Sequence, residues 1–277
     1  MDLSKFLAEL LVVIVLFNKK PEQSSAYTSI QTALNILPSF PTIFIYDNSP
    51  HPSLLTDSQI IYRHDPQNSG VSKAYNEAIV LATKKNKKWM LLLDQDTNVD
   101  TIVFQKFLDS TLEHPATVAF VPKMEDEIGL LSPFQFSSGR GKRIEVHKEK
   151  FSLEKFRFIN SGLLIQCSAF LRAGGYEENI PLDFSDITFG EKLKKITDHF
   201  MVIDTTFHHA FSGTTPLKLN EALARFHYFC TGAFNTGKKF GPFYIYFTRA
   251  FFRASHLCFK YRSLRFIKIF LQRSVHG

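Results

Sequence analysis

The sequence predicts an α/β protein: an open, largely parallel central sheet followed by a helical, basic and aromatic C-terminal extension. Three observations carry this. Short apolar runs alternate with stretches of helical spacing. Each of the first four apolar runs ends in, or soon leads to, a polar cluster. Charge then divides abruptly after Glu221. With 277 residues the chain is long enough for one α/β domain of about 200 residues and an appendage.

The elements follow in order. Leu11–Phe17 is a continuous run rich in Val and Ile, the pattern of a strand buried on both faces. It is far short of the roughly 20 residues that span a bilayer. Asp2 and Glu9 flank it and no small-residue cleavage site follows, so it reads as a core strand and not an export signal. Ser24–Leu37 places Tyr27, Ile30, Leu34 and Leu37 on one helical face, ended by Pro38 and Pro41. Thr42–Tyr46 and Gln59–Arg63 are further strands, Val71–Thr83 a helix, and Lys88–Leu93 a fourth strand. Lys123–Phe156 is polar and irregular, and reads as a loop, either plain or covering a site. Phe158–Cys167 is expected to be a strand, Ser168–Ala173 a helix closed by Gly174-Gly175, and Phe200–Ile203 a last strand.

In such sheets ligands bind beyond the carboxyl ends of the strands. The clusters Asn18-Lys19, Asp47-Asn48-Ser49, Asn68-Ser69-Gly70 and Asp94-Gln95-Asp96 fall there. Two carboxylates one residue apart, after a buried strand, suit a hard cation. Mg²⁺ or Mn²⁺ typically binds through one or two carboxylates together with substrate phosphates. Gly70 lets backbone approach a ligand, the next helix offers its N-terminus to anions, and Lys73 sits one turn in. The competing reading of that stretch is an ordinary helix capped by Ser69 or Ser72.

Composition excludes other classes. Hydrophobic residues make up 44% and charged ones 21%, which is a folded globular chain. Three scattered cysteines without C-x-x-C spacing argue against a disulfide framework or a structural zinc, and for a reducing, cytoplasmic compartment. Residues 1–221 hold 23 basic against 26 acidic side chains, a net −3, whereas residues 222–277 hold ten basic and none acidic. Basic and aromatic residues interleave there at helical spacing, and no uncharged stretch reaches spanning length. This reads as an interfacial element on an anionic membrane surface or as a helical unit whose aromatics pack on the domain. No nucleic-acid motif accompanies it, and nucleic acid is not an expected partner.

The runs Val12–Asn18, Ile43–Ser49, Asn68–Asn76 and Leu91–Thr97, in this order and spacing, resemble a family 2 glycosyltransferase of the GT-A fold. The likeness covers about residues 10–215. It is nearest to the rhamnosyltransferase-like branch of bacterial surface-polysaccharide synthesis. The resemblance implies a GT-A domain over 1–215 and a helical extension over 216–277. It implies an inverting transferase with a UDP- or dTDP-linked sugar donor and a glycan or lipid-linked glycan acceptor. Such an enzyme works in the cytoplasm at the inner face of the membrane. Asn18, Asp47, Asn68, Gly70, Lys73, Asn76 and Asp94 would hold the nucleotide sugar, with Asp47 at the base. Asp96 and Asp94, joined by His208, would bind the metal. Asn160-Ser161-Gly162 would support the acceptor side, and Asp186, or else Asp183, would be the general base. Relatives often carry Glu-Asp where this chain has Ser185-Asp186. Two alternatives compete: a binding module on a transferase scaffold, and a sugar nucleotidyltransferase. The glycine-free stretch Asn18-Lys19-Lys20-Pro21 counts against the latter.

Overall fold

The computed structural model describes residues 1–53, 55, 60–209 and 217–276. A short helix α1 (Leu3–Ala8) leads into strand β1 (Leu10–Leu16), whose seven side chains are all buried. Leu11, Val13 and Val15 enter the core on one face of the sheet, and Leu10, Val12, Ile14 and Leu16 the core on the other. Two-faced burial is why the run is continuously apolar; each such side chain is worth about 1.5–3 kcal/mol.

The chain continues through α2 (Ser25–Leu34), β2 (Thr42–Asp47), β3 (Ile60–His64), α3 (Val71–Lys84) and β4 (Trp89–Asp94). Then come the two-residue β5 (Thr97–Asn98), α4 (Val103–Glu113) and β6 (Ala119–Asp126). Strands β3, β2, β1 and β4 lie side by side and parallel. The chain thus builds outward from β1 in one direction and then crosses to its other side. That reversal between β1 and β4 is a topological switch point, where the two crossovers leave a crevice at the strand ends. The second half of the sheet adds β12 (Leu164–Gln166), antiparallel to both β4 and β6, and β13 (His199–His209), parallel to β6. This mostly parallel sheet with helices on its faces has the GT-A architecture.

Three expected elements differ. Lys123–Phe156 is not an irregular loop. It contains the end of β6, then β7 (Gly129–Ser132), β8 (Phe134–Ser137), β9 (Arg140–Arg143), β10 (Lys150–Ser152) and the start of β11 (Phe156–Arg157). These strands are two to four residues long and β9 is exposed throughout; β8 alternates as Phe-Gln-Phe-Ser, over too few residues to mark a strand. The strand expected over Phe158–Cys167 shrinks to β12. Gly162 has φ +86°, and the 160–163 turn fills the first half of that stretch. The last strand is longer than Phe200–Ile203, and its register on β6 shifts between Val202 and Thr206. The boundary expected at 215/216 lies outside the described residues.

Helices α5 (Cys167–Arg172) and α6 (Ser185–Leu193) pack with α3 against one face of the sheet. The extension forms α7 (Leu219–Phe240), α8 (Phe243–Tyr261) and α9 (Arg265–His276). They share a third core of Phe226, Phe229, Phe234, Tyr246, Phe266 and Phe270, which also takes in Ile180, Phe184 and Ile187. Many aromatics of the tail are therefore structural, and the helical unit is joined to the domain at the segment leading into α6.

Gly232 marks the tightest point of that joint. Alanine in a helix interior is ordinarily about 1 kcal/mol better than glycine. A Cβ on Gly232, however, would stand 2.3 Å from the Asp183 carbonyl oxygen. The clash exceeds the propensity gain, so Gly232→Ala is expected to lower the urea unfolding midpoint; a raised midpoint would contradict this packing.

Candidate active site

The switch point is flanked by the turns after β1 and β4. They are tied together by Gln95, whose side-chain oxygen accepts from the Phe17 N–H at 2.8 Å and whose carbonyl accepts from the Ser24 hydroxyl at 2.8 Å. Asn18 is exposed at the mouth with φ +53°, and its N–H donates to Ser49 Oγ at 2.9 Å. Strand register sets Asp47 opposite Leu16 and Asp94 opposite Val15, so the two carboxylates end adjacent rows of the crevice.

Asp47 is fully buried. Its carboxylate accepts from the Ser49 N–H (2.9 Å), the Tyr62 hydroxyl (2.7 Å) and the Ser53 hydroxyl (3.2 Å). Burial alone raises its pKa, but these bonds outweigh it and hold the carboxyl below the usual range. In this structure Asp47 organises the 48–53 turn from beneath. Asp65 does the same for the next turn, accepting from the Tyr46 hydroxyl and the N–H groups of Gln67 and Ser69. Asn68 sits there with φ +50°, and the Gly70 N–H donates to Asn48 Oδ1 at 3.3 Å.

The N-terminus of α3 is occupied by protein. Val71 N–H donates to the Pro181 carbonyl at 2.8 Å and Ser72 Oγ to the Ile180 carbonyl at 2.6 Å. Gly70, at φ +91°, is required because a Cβ would lie 2.3 Å from that Pro181 oxygen. Asn76 bonds both the N–H and the carbonyl of Tyr176 and reaches Glu178 Oε1. Asn76 and the first turn of α3 thus clamp the 176–181 segment. Lys73 is half-buried and makes no ion pair among the described residues.

Asp94 and Asp96 bound the turn between β4 and β5. Ser161 is buried and supports that turn, a role different from the acceptor-side one that the resemblance implies for Asn160-Ser161-Gly162. Its Oγ accepts from the Asp94 N–H at 2.9 Å and lies 2.6 Å from Thr97 Oγ1. The Asp94 carboxylate accepts from the buried Tyr75 hydroxyl at 3.2 Å. β5 then pairs with β13, placing His208 opposite Asn98 and residue 209 opposite Thr97. The His208 side chain is exposed. No group of three His, Cys, Asp or Glu side chains suited to a metal occurs among the described residues. Asp94 and Asp96 supply two hard oxygen donors at a strand end, a set that fits Mg²⁺ or Mn²⁺ completed by phosphate oxygens.

Asp186 stands in the first turn of α6, within electrostatic reach of Asp94. Burial, and then the negative charges of Asp183 and Asp94, push its pKa up to about 7 against the opposing Ile187 N–H. Asp94 and Asp186 both act on the Tyr75 and Tyr176 hydroxyls, which places the four groups in one electrostatic neighbourhood. Tyr176 donates to Asn160 Oδ1 at 2.8 Å, Asn160 donates to Ser185 Oγ at 2.9 Å, and the Tyr176 ring stacks on Phe189 at 4.2 Å. Phe184, the residue before α6, has φ +71°, a conformation costing a bulky side chain about 1–3 kcal/mol. It is held there by Phe229, Tyr246 and the Arg249 guanidinium. Asp183 points away from this pocket's hydrogen-bond chain, into an ion pair with Arg225 of α7 at 2.9 Å. Burial raises its pKa, the nearby Arg225 and Arg253 oppose this, and its Oδ2 is buried without a hydrogen bond. Beneath α6, Arg157 is buried and pairs with Glu191.

The structure therefore brings Asp94, Asp96, Asp186 and Asn160 to one crevice, with Asn18 at its mouth. It uses Asp47, Gly70 and Asn76 as supports, and Asp183 as a link to the helical unit. A separate cavity of about 500 Å³ touches Asn68, Ser69, Glu178, Tyr228, Asn235 and Arg273, and its lining includes neither Asp94 nor Asp186.

An open α/β sheet with acidic side chains gathered at its switch point, beside a carboxyl poised near neutrality, is the arrangement of a GT-A transferase. Residues 11–179 match the glycosyl transferase family 2 model, and the chain belongs to that family. No curated protein sequence matches it at a significant level. Among solved structures, S. aureus TarS 1-349 superposes with a TM-score of 0.52 at 13% identity, over 86% of this chain and 68% of that one. Its complex with UDP gives 0.51 at 14% identity over 86% and 68%. The complex with UDP-GlcNAc gives 0.50 at 14% identity over 82% and 66%. At these identities the likeness is one of fold.

Ser161→Ala removes the acceptor for the Asp94 N–H and the partner of Thr97. A buried unsatisfied donor costs about 1–3 kcal/mol. The variant is expected to unfold at lower denaturant and to lose donor turnover; wild-type stability would show that the bond carries nothing.

Proposed function

We propose that the chain is an inverting glycosyltransferase of bacterial surface-polysaccharide synthesis. It moves a sugar, with rhamnose the first to try, from a UDP- or dTDP-linked donor to a hydroxyl of a glycan or lipid-linked glycan. On this reading it works in the cytoplasm, at the inner face of the membrane where lipid-linked acceptors are held. Family membership supports the transferase, and the UDP and UDP-GlcNAc named with TarS support a nucleotide-sugar donor. The observation that carries the mechanism is Asp186, a carboxyl near pKa 7 within the electrostatic reach of Asp94.

In the transfer, ionised Asp186 takes the proton of the acceptor hydroxyl. The freed oxygen pair forms the new bond to the anomeric carbon from one face. The bond from that carbon to the diphosphate breaks on the other face, and the nucleoside diphosphate leaves with the electron pair. A base works best with a pKa near the operating pH, which burial among carboxylates gives Asp186. Asp94 and Asp96 are the side chains that would hold Mg²⁺ or Mn²⁺; His208, opposite Asn98 on β13, is the further donor assigned to the ion. Such an ion, when bound, neutralises charge on the diphosphate. Asn18, Asn68 and Lys73 are assigned to the nucleotide end. Asp47, Gly70 and Asn76 shape that end through the turns they hold. Asp183 acts as a positioning residue through Arg225.

The base must be ionised to act, so kcat/KM for donor turnover is expected to rise with pH through about 7. Asp186→Asn should lower transfer by about 10²–10⁴-fold at pH 7.5 with the fold intact. Its stability should exceed wild type above pH 7. A carboxyl whose folded pKa is raised loses stability as pH climbs from its unfolded value to its folded one, and the amide escapes this. Transfer by Asp186→Asn at the wild-type rate, measured with a panel of UDP- and dTDP-sugars, would overturn the assignment.

A further inference from the structure

We propose that the outer face of α8 and the turn joining it to α9 form a docking surface for an anionic phospholipid bilayer. This deepens the membrane part of the function proposed above. The inner face of α8 packs Tyr246, Ala250 and Ala254 into the helical core. Its outer face carries Tyr244, Phe251, Phe252 and Phe259, at spacings of seven, one and seven, all within an arc of about 100° on the helix. Leu264 follows in the turn and Leu271 on the exposed side of α9. Isolated exposed apolar residues are ordinary on a protein surface. Here Phe252 is 67% exposed, Phe259 85% and Leu264 80%, on consecutive parts of one helix hairpin. A contiguous set of this kind marks an interaction site.

Charge selects the occupant. Lys260, Arg262, Arg265 and Lys268 are exposed around Phe259 and Leu264, and no acidic side chain occurs anywhere after Glu221. A second copy of this surface would meet it with like charge. An anionic leaflet complements it: ring and leucine side chains enter the headgroup boundary while the cations meet lipid phosphates. No helix among the described residues is long and apolar enough to cross a membrane, so contact is with one leaflet. The opposite side of α8 also carries Arg249, over the Phe184 ring, and Arg253, over Phe229. The docking face and the support of the Asp186 turn therefore lie on two sides of one helix.

Co-flotation of the full chain with vesicles tests this without any donor sugar, so it succeeds or fails independently of transfer. Binding is expected to phosphatidylglycerol–phosphatidylethanolamine vesicles and to be much weaker to phosphatidylcholine alone. The double variant Phe252→Glu/Phe259→Glu should reduce binding by roughly tenfold or more. Lys260→Glu/Arg265→Glu/Lys268→Glu should reduce it to a similar extent and flatten its salt dependence. All five positions are exposed, and unchanged far-UV circular dichroism and melting confirm that the fold is kept. No binding of the wild type to anionic vesicles would overturn the proposal, as would equal binding by both variants. A self-association that Phe252→Glu/Phe259→Glu abolishes, without vesicle binding, would assign the face to a second copy instead. Binding of RNA but not of vesicles would assign it to nucleic acid.

Discussion

The candidate site depends on how residues 176–186 are held, because that segment carries Asp186 and has no regular structure before α6. It is gripped from both sides. From the domain, Val71 and Ser72 donate to the carbonyls of Pro181 and Ile180, and Asn76 brackets Tyr176. From the helical unit, Arg225 pairs with Asp183, Asn235 bonds the Asn179 carbonyl, and Gly232 lets α7 lie directly on the Asp183 backbone. Phe184 is fixed in a left-handed conformation between them. The extension thus buttresses the segment that leads into α6.

That grip has an electrostatic consequence. Three carboxyls, Asp94, Asp183 and Asp186, influence one another in a partly buried space. Arg225 and Arg253 oppose the charge of Asp183, whereas Asp186 has only a helix N-terminus and the Ile187 N–H. The two aspartates of one short turn are thereby separated: one is paired and structural, the other is left near neutrality. Environment, not residue type, sets which can exchange a proton at neutral pH.

Much of this was legible in the sequence. The first strand, the strand-end clusters and the acidic pair Asp94/Asp96 stand out because two-faced burial produces continuous apolar runs with polar ends. Asp186 was favoured over Asp183 only by resemblance; the pairing of Asp183 with Arg225, 42 residues downstream, is a tertiary contact that no local pattern reveals. The bonds of Ser161 and Tyr75 to Asp94 were hidden likewise, since those partners lie 67 and 19 residues away. The small sheet of β8, β9 and β11 was hidden because its strands are only two to four residues long. Gly70 was correctly marked as a close approach, but the group that approaches is the Pro181 carbonyl. Of the two readings offered for the tail, the structure shows the helical unit with packed aromatics. Phe226, Phe234 and Phe270 are core, whereas Phe252 and Phe259 are exposed.

The central claim is that the crevice between β1 and β4 is a nucleotide-sugar site completed by a divalent cation. Its most direct test is thermal unfolding of the chain with UDP and with dTDP, each with and without Mn²⁺. Ligand at a hundredfold excess over Kd should stabilise the fold by about 2.7 kcal/mol. The account predicts a rise in Tm with at least one nucleotide, dependent on Mn²⁺ and abolished by Asp96→Ala. No shift with either nucleotide and metal, or a shift that Asp96→Ala leaves intact, would contradict it.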